Sequence, residues 1–419
     1  MIASGANATS RGGREIGPAP TARLAVTRLT LSDFRCYGTL RLTLDPRPVV
    51  LTGPNGAGKT NLLEALSFLA PGAGLRRAAL GDVARRSSAM GGGGATGGAW
   101  AVAAVLATPR GPVEIGTGRA GVATTEGSRP DRRTVRIDGA TARGPVALAE
   151  ILGVIWLTPD MDRLFTEAAS RRRRFLDRIV QGFEAAHASR VGAYESAMRQ
   201  RLKLLRTGGG DAAWLAALEH RMAEAAVAIA AARRTVVTRL DQACALGIGP
   251  FPRATLRVAG LVEDWLEERP ALAAEEALRD RLAAAREEDG QRCRTGAGPH
   301  RSDLIVHDRS RNQPAETLST GEQKALLIAI VLATARLQSL TRGAAPLLLL
   351  DEIAAHLDEG RRGALFAEIA ALGAQAWLTG TEAGLFSGLA DTAQFLGVAD
   401  ATVIAGGTAA PRTWKQESE

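Results

Sequence analysis

Lysine is nearly missing from this 419-residue chain. Only Lys59, Lys203, Lys324 and Lys415 occur, so arginine supplies almost all of the 52 basic residues. Set against 44 acidic residues, this gives a formal charge of +8 and a pI of about 10.2. That balance admits a nucleic-acid partner. Because it comes with abundant alanine and glycine, it also marks a compositional bias, so local clustering carries more weight than the total. Cysteine is scarce too: Cys36, Cys244 and Cys293 form neither a zinc pattern nor an even set, which excludes a disulfide scaffold and fits a reducing cytoplasm. No run of about eighteen uncharged apolar residues occurs, so no membrane partner is expected. The N-terminus lacks the apolar stretch of a signal peptide, and residues 1–22, rich in Gly, Ala, Ser and Pro, read as a disordered leader.

What the chain does contain is organised around Gly53-Pro54-Asn55-Gly56-Ala57-Gly58-Lys59-Thr60, a complete G-x-x-x-x-G-K-[ST]. It follows Pro48–Thr52, an apolar run of strand length, and precedes Asn61–Leu69, which has helical spacing; that is the context the motif requires. The glycines let successive N–H groups point at phosphate oxygens, and the helix adds its positive end. Lys59 is expected on the β- and γ-phosphates, with the Thr60 hydroxyl on Mg²⁺.

Period-two stretches at Leu24–Asp33 and Thr39–Leu44 predict paired strands before the phosphate loop, and Trp100–Leu106, Pro112–Ile115 and Thr134–Ile137 predict more after it, with Met90–Gly98 as a loop-tip insert. Gly153–Leu157 reads as a buried strand. Arg171–Arg206, Ala212–Leu246 and Ala271–Glu288 are helical in pattern, without the sustained heptads of a long coiled coil. After Ser302–Val306 returns to strand-like sequence, Leu318-Ser-Thr-Gly-Glu-Gln-Lys324 opens a long apolar helix, and its Ser319, Gly321 and Gln323 suit a phosphate. Alone, this could be an ordinary N-cap. Ala345–Leu350 then runs into Asp351-Glu352, a Walker B pattern in which Asp351 holds Mg²⁺ and Glu352 polarises the attacking water. Asp358 stands at the place of a D-loop. Together these motifs predict an α/β ATP-binding-cassette head, a mixed sheet around the phosphate loop with an inserted helical lobe. We divide the chain into ATPase segments at 23–165 and 296–405, a helical lobe at 166–295 and a tail at 406–419.

On these residues the chain resembles the RecF family, bacterial recombination and repair ATPases related to SMC-type heads. Thr30–Tyr37 is similar to the family's L-x-x-F-R stretch, and Trp156–Asp160 with Arg171–Asp177 to its S-P-E-D-L and R-R-x-F-L-D passage. Gly298–Leu304 is similar to G-P-H-R-D-D-L, and Leu350–Asp358 to L-D-D/E…H-L-D. The resemblance implies ATP and Mg²⁺ as cofactors, ATP-dependent binding of single- and double-stranded DNA at gaps, and promotion of RecA loading with RecO and RecR. It also implies that Arg35 reaches the nucleotide's phosphates. The chain's own support for DNA contact is a basic stripe: from Phe165 to Arg206 ten basic residues face four acidic ones, with Arg171, Arg172, Arg173, Arg174 and Arg178 the strongest candidates. A solvated helix face with internal ion pairs would read the same way.

The chain departs from the cassette pattern in two places. No glutamine lies between Asn61 and Ser170, so Asp160 is the expected stand-in for the Q-loop residue on Mg²⁺. No histidine follows Thr379, where a switch histidine would stand. Both gaps point to slow hydrolysis. A transporter-type ATPase would need both groups, and a structural SMC clamp would need arms this length does not hold. Because the Ser-x-Gly helix of a cassette head lies far from its own phosphate loop, a head-to-tail homodimer sandwiching two nucleotides is expected.

Overall fold

The computed structural model describes residues 23–85, 98–120, 132–207 and 211–406. The leader, most of Met90–Gly98, Gly208–Gly210 and the tail beyond 406 lie outside the described residues. The chain runs β1 (Ala25–Phe34), β2 (Tyr37–Thr43), β3 (Val49–Thr52), α1 (Lys59–Ser67), α2 (Leu80–Val83), β4 (Trp100–Thr108), β5 (Gly111–Arg119), β6 (Thr134–Ile137), β7 (Ala140–Thr141) and β8 (Val154–Leu157). Next come α3 (Ala169–Gln181), α4 (His187–Thr207), α5 (Ala212–Leu246), β9 (Ala254–Ala259), α6 (Leu261–Glu268), α7 (Ala271–Ala284) and α8 (Arg286–Gln291). The chain closes with β10 (Asp303–Asp308), β11 (Gln313–Pro314), α9 (Thr320–Arg342), β12 (Leu347–Leu350), α10 (Glu359–Leu372), β13 (Ala376–Gly380), β14 (Gln394–Ala399) and β15 (Thr402–Ala405).

Two six-stranded sheets are built from the segments on either side of the helical region. One is antiparallel, in the order β2-β1-β4-β5-β6-β7; the other is β15-β14-β3-β13-β12-β8, parallel from β14 to β8. The sequence explains the difference. Along Trp100–Val105 buried and exposed residues alternate, so β4 has one wet face, whereas Leu347–Leu350 and Val154–Leu157 are buried throughout, as strands covered on both faces must be. α9 is one of those covers. By length and composition it could cross a membrane, yet 72% of its most apolar window is buried inside the protein, against β8, β9, α5 and α10.

The basic segment is not one helix. Arg171–Arg206 breaks after Gln181 into α3 and α4, and the 166–295 region includes a strand, β9, that pairs with β10 in a small third sheet. A second apolar cluster, with Tyr194, Met222 and Leu278, holds α4, α5 and α7 together.

A single buried amide ties the two large sheets. Gln375 Oε1 accepts from the Val26 amide at 2.8 Å, and its Nε2 donates to the carbonyls of Val26 at 3.0 Å and Asp45 at 2.9 Å. Gln375 is fully buried, so no water can replace it. Gln375→Leu keeps the volume and removes the bonds to the Val26 amide and carbonyl, while the Asp45 carbonyl keeps its bond from Gln394 Nε2 at 3.0 Å. It should lower the unfolding free energy by about 2–4 kcal/mol in urea titrations, where a change under about 0.5 kcal/mol would show that the tie is dispensable.

Candidate nucleotide site

The phosphate loop leaves β3 at the carboxyl end of the parallel sheet, where ligands of open α/β sheets bind. Gly58 has φ +115°, and a Cβ there would lie 2.6 Å from the Tyr37 hydroxyl and 2.9 Å from Cys36 Sγ. Only glycine fits. The Tyr37 hydroxyl donates to the Gly58 carbonyl at 3.1 Å, and Asn61 Nδ2 lies 3.1 Å from Cys36 Sγ. The β1–β2 turn thus props the loop from beneath, while Pro54, Asn55 and Gly56 are exposed at its tip. Lys59 Nζ curls over the loop and donates to the carbonyls of Gly53 at 2.7 Å and Pro54 at 2.9 Å. Burial lowers its pKa, partly opposed by the Glu352 and Asp351 carboxylates.

Two strand ends and the first turn of α1 converge beside it. Asp351, just past β12, accepts from the Thr60 hydroxyl with both oxygens at 3.1 Å, and from the Thr379 hydroxyl at the end of β13 at 2.7 Å. The Thr379 oxygen in turn accepts from the Glu352 amide at 2.9 Å. Thr379, at the place expected for a switch histidine, therefore orients the Asp351 carboxylate and fixes the backbone of Glu352. Glu352 sits at φ +52°, a left-handed conformation costing a non-glycine residue on the order of 1 kcal/mol. Burial pushes the Asp351 carboxyl up from its ordinary range. Among the described residues no cluster of three or more His, Cys, Asp or Glu could hold a metal alone. A hydroxyl beside one carboxylate instead fits Mg²⁺, which keeps waters and takes phosphate oxygens.

The Asp160 carboxylate accepts from the Thr158 hydroxyl and pairs with Arg171 at 3.3 Å. It lines the same cavity of about 900 Å³ as Thr60 and Asp351.

Several expected roles are differently filled. Arg35 commits its guanidinium to α1 and α2: Nε and Nη2 bond Glu64 at 2.8 and 2.6 Å, and Nη1 bonds the Asp82 carbonyl at 2.7 Å. Glu64 is fully buried and also takes Arg76 at 3.1 Å, so Arg35 braces the helix behind the phosphate loop. Gln323 is buried, donating to the Leu318 carbonyl at 2.8 Å, and secures the start of α9 from within instead of presenting its amide at the helix tip. Of the five candidate DNA arginines, Arg172 pairs with Asp303 at 2.7 Å and Arg173 donates to the Ser302 carbonyl at 2.7 Å. Arg178 lies over the Trp156 ring at 4.3 Å, and desolvation lowers its pKa to about 9. Those three hold α3 onto its neighbours, because a helix turns successive arginines to different faces. Arg174 alone of the five is exposed.

Ser319 and Gly321 lie at the open tip of α9. Ser319 is the N-cap of a capping box with Glu322, whose carboxyl is held down to about 2 by the Ser319 hydrogen bonds and by Arg311. A Cβ on Gly321 would meet nothing within 4 Å. Neither residue lines the cavity that holds Thr60 and Asp351. Behind the tip, Lys324 Nζ reaches Asp162 at 3.1 Å. Asp358 caps α10, accepting from the Arg361 amide at 2.8 Å. His300 is held by Tyr194 at 2.7 Å and by the Thr295 carbonyl at 2.9 Å; burial lowers its pKa. Arg301 is exposed.

Thr379→Val removes the hydroxyl that holds the Asp351 carboxylate and the Glu352 backbone, and leaves the lysine and the loop untouched. Mg²⁺-dependent hydrolysis should fall at least about tenfold, the equivalent of one buried hydrogen bond, with Mg²⁺-free nucleotide affinity unchanged. Unaltered turnover in a coupled assay would mean that Thr379 has no part in positioning Asp351 or Glu352.

A family model described as the RecF/RecN/SMC N terminal domain matches residues 25–400. The DNA replication and repair protein RecF of Mesorhizobium japonicum is 50% identical over 386 residues, covering 91% of this chain and 98% of that protein; its counterpart from Rhizobium johnstonii is 49% identical over 385 residues, covering 91% and 99%. Among solved structures, one described as the recombination mediator protein RecF-ATPrS in the RecFOR pathway superposes with a TM-score of 0.77 at 19% identity, covering 91% of this chain and 98% of that one. The fold is therefore that of an SMC-type ATPase head, and the chain belongs to the RecF family.

Proposed function

We propose that this protein is an ATP-switched DNA-binding protein of replication and repair. It binds single- and double-stranded DNA at gaps and junctions, and promotes RecA loading with RecO and RecR in the cytoplasm. The observation that carries the nucleotide part is the cluster of Thr60, Asp351 and Thr379 beside Lys59, which joins the first turn of α1 to the ends of β12 and β13. Gly53 to Asn61 cradle the phosphates, Thr60 and Asp351 hold Mg²⁺ with Asp160 near by, and Glu352 activates water. The relatives' description as DNA replication and repair proteins supports the DNA part.

The active species in this reading is a homodimer. Ser319 and Gly321 face outward, away from the cavity of their own Thr60 and Asp351, so they serve the γ-phosphate of a second copy, with Asp358 near the same junction. ATP then joins the two protomers, and hydrolysis releases them. The ATPase segments 23–165 and 296–405 act as one head, with 166–295 as the lobe that transmits its state.

Lys59→Met deletes the charge on the β/γ-phosphates and should abolish nucleotide binding, whereas Glu352→Gln should bind normally and turn over slowly. Calorimetry giving equal ATP affinity for Lys59→Met and wild type would remove the phosphate-loop assignment. Ser319→Arg should leave ATP binding by the monomer intact and abolish ATP-dependent dimerisation in light scattering. A variant that still dimerises would reduce Ser319 to an N-cap.

A further inference from the structure

The cavity beside the Mg²⁺ ligands continues away from them between two walls, the Gly-rich turn at residues 71–77 and helix α3. Its charges are out of balance. Arg77, on the turn, and Arg174, on α3, are both exposed into it, and neither has a hydrogen bond or ion pair among the described residues. They face each other with like charge: burial and then Arg77 and Arg171 lower the pKa of Arg174. Glu167, the carboxylate that acts on Arg174, is already taken by Arg171 at 2.6 Å, and of the acids that line the cavity Asp160 is paired with Arg171, Asp177 with Arg233 and Glu195 with Arg199. Deeper in, Arg178 rests on Trp156 with only a carbonyl at 3.4 Å and a thioether at 3.6 Å on its Nη2, and no carboxylate paired to it. The backbone of Arg77 is held at φ +54°, a conformation that L-residues avoid. Guanidinium groups that converge from two walls with no carboxylate bonded to them make a site for an anion with several oxygens, which such forks recognise bidentately.

We propose that this cleft binds backbone phosphates of a single nucleic-acid strand, with Arg77 and Arg174 as the two clamping residues. The inference rests on the DNA-binding reading above and gives that reading a location and a substrate class. A volume of about 900 Å³ lies at the top of the range for small-ligand cavities, room for a few nucleotides of one strand and none for a duplex. The cleft also suggests how DNA reaches the ATPase. Arg171 shares Asp160 and Glu167, so a strand phosphate that draws Arg171 toward Arg174 frees the Asp160 carboxylate, which lines the same cavity as Thr60 and Asp351.

The test is fluorescence anisotropy of a labelled oligothymidylate with the full-length protein and ATP, from 50 to 200 mM salt. Arg77→Ala/Arg174→Ala is compared with wild type and with a charge-matched control, Arg41→Ala/Arg110→Ala, on exposed residues of the first sheet. The cleft variant should bind about tenfold more weakly at the lowest salt, with a salt slope shallower by about 1.4, as expected for two lost single-strand phosphate contacts. Its unfolding temperature should hold or rise, since two repelling charges are gone. Equal loss in both variants would overturn the proposal by reducing it to net charge. Unchanged binding by the cleft variant, with wild type binding normally, would overturn the cleft and leave the DNA-binding reading standing. No binding by wild type would remove both. Displacement of the oligonucleotide by poly-glutamate as readily as by unlabelled oligothymidylate would assign the cleft to acidic protein instead.

Discussion

The hydrogen bonds that converge on Asp351 are the constraint on which the rest of this protein depends. Thr60 enters from the helix after β3, Asp351 from the end of β12 and Thr379 from the end of β13, so the site exists only when three parallel strands pair in one register. In that register Leu350 lies opposite Leu378 and Thr379 opposite Leu51. A slip of one residue would turn each strand's side chains to the other face and separate the carboxylate from both hydroxyls. The apolar runs of these strands are thus functional as well as structural: they allow no register but the one that gathers the polar ends.

Supports for the phosphate loop come from outside the parallel sheet. The β1–β2 turn supplies Tyr37 beneath Gly58 and Arg35 behind α1, and Gln375 holds the first sheet against the second. Glu64 is buried with two arginines on it. Removing both arginines would strand the Glu64 charge out of water, and breaking a buried pair in this way typically costs about 3–5 kcal/mol. The helix behind the loop is therefore fixed by electrostatics as much as by packing.

The parts of this account that were legible in the sequence are those encoded by neighbouring residues. Gly53 to Thr60, Leu318 to Lys324 and Ala345 to Glu352 each carry their chemistry within one turn or one strand, and the strands and apolar α9 follow from period and composition. What the sequence did not reveal depends on distant partners. Nothing near Thr379 in the chain says that its hydroxyl meets Asp351 and the Glu352 amide. Nothing near Arg35 announces Glu64 as its partner. The basic stripe was legible only as a count, because consecutive arginines on a helix point to different neighbours: Arg172, Arg173 and Arg178 bond or stack on adjoining segments while Arg174 is exposed. Arg77, which faces Arg174 across the cleft, lies almost a hundred residues earlier and belongs to no recognisable motif.

In the proposed dimer each nucleotide is completed by two protomers, with Lys59 from one and Ser319 from the other. Mixing Lys59→Met protein with Ser319→Arg protein tests it most directly, because a mixed dimer contains one site with both residues intact and one with neither. Two preparations inactive alone should recover hydrolysis when combined, approaching half the wild-type turnover per mixed dimer. Activity of the mixture no greater than the sum of its parts would place both residues at the same protomer's nucleotide and contradict the shared site.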